Sequence, residues 1–168
     1  MRYTCLTCGK EHEEWPAISF NAPYPYTCLS EMDQKNIAEL SSDFCVIRHE
    51  EQTDRFARAV LRQTVNDHCD DLEYGVWVSL SEKSFDDYYD HFDDQNYEAT
   101  YFGYLCTLIP EYDDTNSIKT KVVLSAGGSR PEVVPHHGQG EHPFLHDYFN
   151  GISKAQAEQR IRYAMGED

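Results

Sequence analysis

Tyr74-Gly75-Val76-Trp77-Val78-Ser79-Leu80, followed at once by Ser81 and a stretch in which Phe85, Tyr88, Tyr89 and Phe92 recur, decides the fold class. The first seven residues are mostly β-branched or aromatic and read as a central strand. The recurrence after it is i, i+3, i+4, i+7, the spacing of a helix with one apolar face, and Ser81 or Ser84 supplies its cap. The other face carries Asp86, Asp87, Asp90, Asp93 and Asp94.

The same reading extends in both directions. Phe44-Cys45-Val46-Ile47 is an apolar run of strand length, and 101–109, 118–124 and 132–134 read as further strands. A strand is also expected from Phe56 to Val65, although Ala57, Arg58 and Ala59 suit a helix equally. Ser30 with Asp33 opens a helix expected to reach Leu40, and Ser153 with Gln156 opens one expected to reach Met165. Between 16 and 27, Pro16, Pro23 and Pro25 predict an extended connector. No repeat or linker divides the chain. The expectation is a single α+β domain over 1–168, a mostly antiparallel sheet with about three helices. Within it, residues 1–15 form an N-terminal knuckle segment and 16–168 the core.

At 168 residues the chain is long enough to bury about two-thirds of its unfolded surface. Its 30 acids against 14 Lys and Arg give a formal charge of −16. That surface repels phosphate backbones and anionic lipid, so neither nucleic acid nor a membrane surface is expected as a partner. A basic protein is the partner such a charge favours. No apolar run reaches about 18 residues, so no membrane span is expected. The start lacks the layout of a secretion signal, and the six cysteines are read as reduced in a cytosolic protein.

Cys5-Leu-Thr-Cys8-Gly9 is the sharpest motif. Two thiolates at this spacing grip one face of a tetrahedral zinc ion, and glycine suits the turn. His12 is the natural third ligand, and Cys45 or Cys28 supplies the fourth. A full set of four protein ligands makes the zinc structural, whereas an open position permits catalysis. Glu11, Glu13 and Glu14 follow directly, an acidic setting that raises thiol pKa and argues against a redox pair.

Other candidates are weaker. His142 and His146 are four apart, but Pro143 disfavours helix at His142 and no glutamate stands between them as a base. His136 and His137 lie in a loop flagged by Gly138 and Gly140. Arg130, after Gly127-Gly128, is either a fork for a carboxylate or phosphate or the partner of one of the chain's own acids. The acidic clusters lack calcium-loop spacing and read as solvated faces.

Cys5-x-x-Cys8-Gly-x-x-His12, Ser42-Asp43-Phe44-Cys45-Val46-Ile47 and Gly75-Val76-Trp77-Val78-Ser79-Leu80-Ser81-Glu82 open a series of signatures. It continues with Tyr101-Phe102-Gly103-Tyr104-Leu105, Gly127-Gly128-Ser129-Arg130-Pro131, His142-Pro143 and Gly151-Ile152-Ser153. In that order they resemble domain of unknown function family 2199, small bacterial proteins. The resemblance implies no established activity. It marks His142 as a family position and so as a further candidate for the fourth ligand, and residues 48–71 depart from it most.

Two functional expectations follow. One is a non-catalytic binding or accessory protein with a structural zinc knuckle, an immunity-type protein for a basic partner being its specific form. The other is a hydrolase-like enzyme with an open zinc on Cys5, Cys8 and a histidine, using Glu11 or Glu141 as base.

Overall fold

A computed structural model describes residues 2–4 and 9–166. It bears out the α+β class. Its strands are β1 (Arg2–Thr4), β2 (Glu11–Glu13), β3 (Ile18–Ser19), β4 (Ala38–Leu40), β5 (Phe44–Arg48), β6 (Thr53–Gln63), β7 (Leu72–Leu80), β8 (Ala99–Leu105), β9 (Lys119–Leu124) and β10 (Glu132–Pro135). The helices are α1 (Tyr24–Thr27), α2 (Glu31–Ile37), α3 (Glu82–Asp90), α4 (Pro143–Asn150) and α5 (Lys154–Ala164). The described residues thus hold five helices where about three were expected. Two compact units account for the chain, one of 1–18, 62–74 and 141–168, the other of 19–61 and 75–140.

The eight-stranded sheet, most of it in the second unit, runs β3-β7-β8-β9-β10-β6-β5-β4, and β6 also pairs with β7. That extra pairing closes β6 to β10 into a ring of five strands. A ring with an odd number of strands cannot alternate in direction throughout. The mismatch falls at β10–β6, which is parallel through Glu132 and Val60, while β7–β8, β8–β9 and β9–β10 are antiparallel. Buried and exposed residues alternate along β8, but β7 is buried almost continuously, as its run of Val and Trp demands. Gly103 is required where β8 meets β7, because a Cβ there would lie 2.6 Å from the Ser79 carbonyl oxygen.

Trp77 anchors this unit's core with Cys45, Ile47, Phe56 and Cys106. Its indole N–H donates to the Phe20 carbonyl at 2.9 Å and its backbone N–H to Thr107 Oγ1 at 2.9 Å, so the buried polar groups are satisfied. The segment 53–63 is strand rather than helix, because it pairs on β5 from Phe44–Ala57 to Arg48–Thr53. Two local expectations need correction. The α2 helix stops at Ile37, and 38–40 instead pairs with β5 as β4. In the proline-rich connector a one-turn helix follows Pro23, its N-cap, and Pro25 stands in the first turn, where its fixed φ suits the helix and its missing N–H costs nothing.

In the first unit β1 and β2 form an antiparallel hairpin with Arg2 opposite Glu13 and Thr4 opposite Glu11. Trp15 stacks on His68 with ring centroids 4.1 Å apart. The helix expected at 153 is present as α5, with the Ser153–Gln156 capping box complete. The α4 helix is not among the expected elements. Its His142 N-cap is extended (φ −143°, ψ 131°), so the restriction that Pro143 imposes on its predecessor holds, and the helix begins at the proline itself. Arg160 of α5 is buried and donates to Asp147 Oδ2 at 3.1 Å and to the Tyr74 hydroxyl at 3.3 Å.

Candidate functional site

Within the second unit, α3 and the loops around it carry the densest chemistry. Ser81 caps α3 by accepting from the Ser84 N–H at 3.2 Å. The apolar face then seats Phe85 and Tyr88 against Phe44, whose ring lies 5.5 Å from Phe85, 5.3 Å from Tyr88, and 5.1 Å from both Tyr89 and Phe92. Only part of that aromatic cluster is covered: Tyr89 is 59% exposed and Phe92 41%. Asp86, Asp90, Asp93 and Asp94 are exposed beside them. The result is a face of carboxylates set around two accessible aromatic rings.

Asp87 is the exception among these acids. Its Oδ2 accepts from the Tyr97 and Tyr101 hydroxyls, each at 2.7 Å. Those bonds, Tyr97 first, hold the carboxyl below its ordinary range. Tyr101 is pushed up by burial and then by the same bond. His91 stacks on Tyr97 with centroids 3.8 Å apart and meets the Asp87 carbonyl oxygen at 2.7 Å. The network fixes the turn that follows α3.

A cavity of about 380 Å³ opens between that turn and the Gly127–Arg130 bend. The Gly127 N–H donates to the Gln95 carbonyl at 2.7 Å and ties the two walls together. At the floor Arg130 Nε donates to Asp43 Oδ1 at 2.6 Å, and the Ser42 hydroxyl donates to Asp43 Oδ2 at 2.6 Å. Burial alone would raise the Asp43 carboxyl, but the bonds from Arg130 and Ser42 outweigh it and hold it below the usual range. Of the two readings of Arg130, the internal ion pair is the one formed.

The anticipated metal ligands are placed unevenly. Cys5 and Cys8 lie outside the described residues, and so does the His12 side chain, whose backbone pairs with Tyr3 in the hairpin. Cys45 is fully buried in the Trp77 cluster, where burial pushes its thiol up to about 12 and favours the protonated form. Cys28 is exposed at the C-cap of α1. His142 caps α4, its Nδ1 accepting from the Phe144 N–H at 3.1 Å, which commits the ring's free lone pair to the helix and puts a neutral imidazole's proton on Nε2. Glu11 and Glu141 are exposed. His136 packs edge-on to Phe102, and His146 sits beside Asp147. Among the described residues no three His, Cys, Asp or Glu side chains are grouped to hold a metal ion. Nor is any described helix long and apolar enough to cross a membrane.

The Tyr97–Tyr101–Asp87 network went unread in the sequence, since nothing in the spacing of 87, 97 and 101 announces a contact between a helix, a turn and a strand. A family model described as an uncharacterized protein conserved in bacteria matches residues 4–152. No curated protein and no solved structure matches the chain.

Proposed function

The chain belongs to the DUF2199 family of uncharacterized proteins conserved in bacteria, and from that premise we propose that it is a non-catalytic binding protein for a basic protein partner. One observation carries this reading: α3 and the turn after it present Tyr89 and Phe92, both exposed, within a field of exposed carboxylates on a chain of charge −16. Accessible aromatics supply the apolar anchors on which protein interfaces concentrate their energy. The surrounding acids speed encounter with a basic surface and reject acidic ones. Immunity to a basic toxin is the specific form that fits this charge.

The zinc knuckle belongs to the same proposal. Cys5, Cys8 and His12 hold the ion, and a fourth protein ligand completes the site. With four protein ligands the zinc is structural and staples the N-terminal segment.

The test compares wild type with D86N/D90N/D93N/D94N as baits in affinity capture at low salt, with quantitative mass spectrometry. The expected result is a basic protein retained by wild type and lost from the variant and at high salt. Equal retention by both baits would overturn the reading.

A further inference from the structure

We propose that the cavity between the turn after α3 and the Gly127–Arg130 bend binds a small ligand through a carboxylate or phosphate group held on the Arg130 guanidinium. The site lies wholly within the second unit. Its argument begins with how Arg130 is used. The guanidinium has five N–H donors, and among the described residues only Nε donates, to Asp43. Both terminal nitrogens remain to form the parallel fork that planar oxyanions accept. Asp43 is only 16% exposed and is itself held by the Ser42 hydroxyl, so Arg130 is anchored along one edge while the other edge is presented. An arginine prepared in this way loses less conformational entropy on binding than a solvated one.

The Arg58 backbone N–H donates to the Asp43 carbonyl at 2.8 Å, and its guanidinium donates to the Ser42 carbonyl at 3.4 Å. Arg58 thus neighbours Asp43 from outside the cavity's lining, and the lining itself sets Arg130 with Asp43, Asp93 and Asp94. The Arg58 field on Asp43, and that of Arg130 on Arg58, act in the directions this grouping requires. Ser125, Ser129 and His91 line the same cavity and add hydrogen-bonding groups, while Tyr88, Phe92 and Leu124 supply an apolar wall. Asp93 and Asp94 stand exposed at the rim. They disfavour highly charged anions and select a single oxyanionic group on an otherwise neutral or zwitterionic molecule.

Isothermal titration at low ionic strength with inorganic phosphate and with acetate, in separate experiments, tests the assignment, with methylguanidinium as the opposite-charge probe. The account expects saturable binding of at least one oxyanion. Phosphate alone points to a phosphoryl ligand, and acetate alone to a carboxylate. Arg130→Lys and Arg130→Gln should each weaken binding about tenfold or more, the worth of a charge-assisted hydrogen bond. Because those variants also disturb the Asp43 pair, D93N/D94N provides an independent measure. Removing rim repulsion should tighten oxyanion binding by about two- to fivefold. No saturable binding of either oxyanion, unchanged affinity in both Arg130 variants, or methylguanidinium binding that D93N/D94N abolishes would each overturn the proposal.

Discussion

Asp147→Ala is the substitution whose consequence the structure specifies most fully. Arg160 is 7% exposed, and its carboxylate partner Asp147 stands 3.1 Å away with a side chain 23% exposed. Removing the carboxylate takes an anionic partner from a buried guanidinium that also donates to the Tyr74 hydroxyl at 3.3 Å. Breaking a buried pair from one side costs about 3–5 kcal/mol, because the remaining charge stays desolvated. Retention of the Tyr74 contact and the partial exposure of Asp147 put this case near about 3 kcal/mol, a large share of a domain's stability. In urea the midpoint should fall with the slope unchanged, and the thermal midpoint should drop by about 6–12 °C. Arg160→Met removes the buried charge itself and leaves Asp147 able to hydrate, so it should cost clearly less. A loss below about 1 kcal/mol for Asp147→Ala would refute the reasoning, since that is the value of an exposed pair.

The remaining predictions concern metal, pH and thiols. Protein purified without chelator should carry one zinc per chain by elemental analysis, and Cys5→Ser should release it and lower stability; absence of stoichiometric zinc removes the knuckle from the account. Asp43 and Asp87 both have folded-state pKa values held below their unfolded ones, so each contributes stability that is full above the unfolded pKa of about 4 and is lost as pH falls through the lower folded value. Urea midpoints should therefore decline below about pH 4, and Asp43→Asn should flatten that decline. In native protein at pH 8 a maleimide should label Cys28, which is exposed, and spare Cys45 and Cys106, whose burial pushes their thiols up to about 12 and about 11. Rapid labelling of Cys45 would show that the Trp77 cluster is not packed as described.

What was legible in the sequence was whatever local chemistry decides. The run from Tyr74 to Leu80 is a buried strand, Ser81 caps α3, and Phe85 and Tyr88 face the core, as their spacing required. The Ser153–Gln156 box likewise appears where its residues stand. Reading failed where tertiary pairing overrode local preference. Ala38–Leu40 leaves its helix because β5 offers a ladder from Ala38–Ile47 to Leu40–Cys45. The prolines of 16–27 predict an extended connector, yet Pro25 sits in the first turn of α1, where a proline has no N–H bond to lose. At the candidate site, the acidic face and the promise of Arg130 were visible. Its partner Asp43, 87 residues earlier, was not, because the contact depends on how the sheet closes.

Titration of the captured basic protein against wild type and D86N/D90N/D93N/D94N, each at low and at high salt, tests the central claim most directly. The account predicts that wild-type affinity falls steeply as salt rises and that the variant binds weakly at low salt with little further loss. Equal affinity for the two proteins, or wild-type binding indifferent to salt, would contradict it.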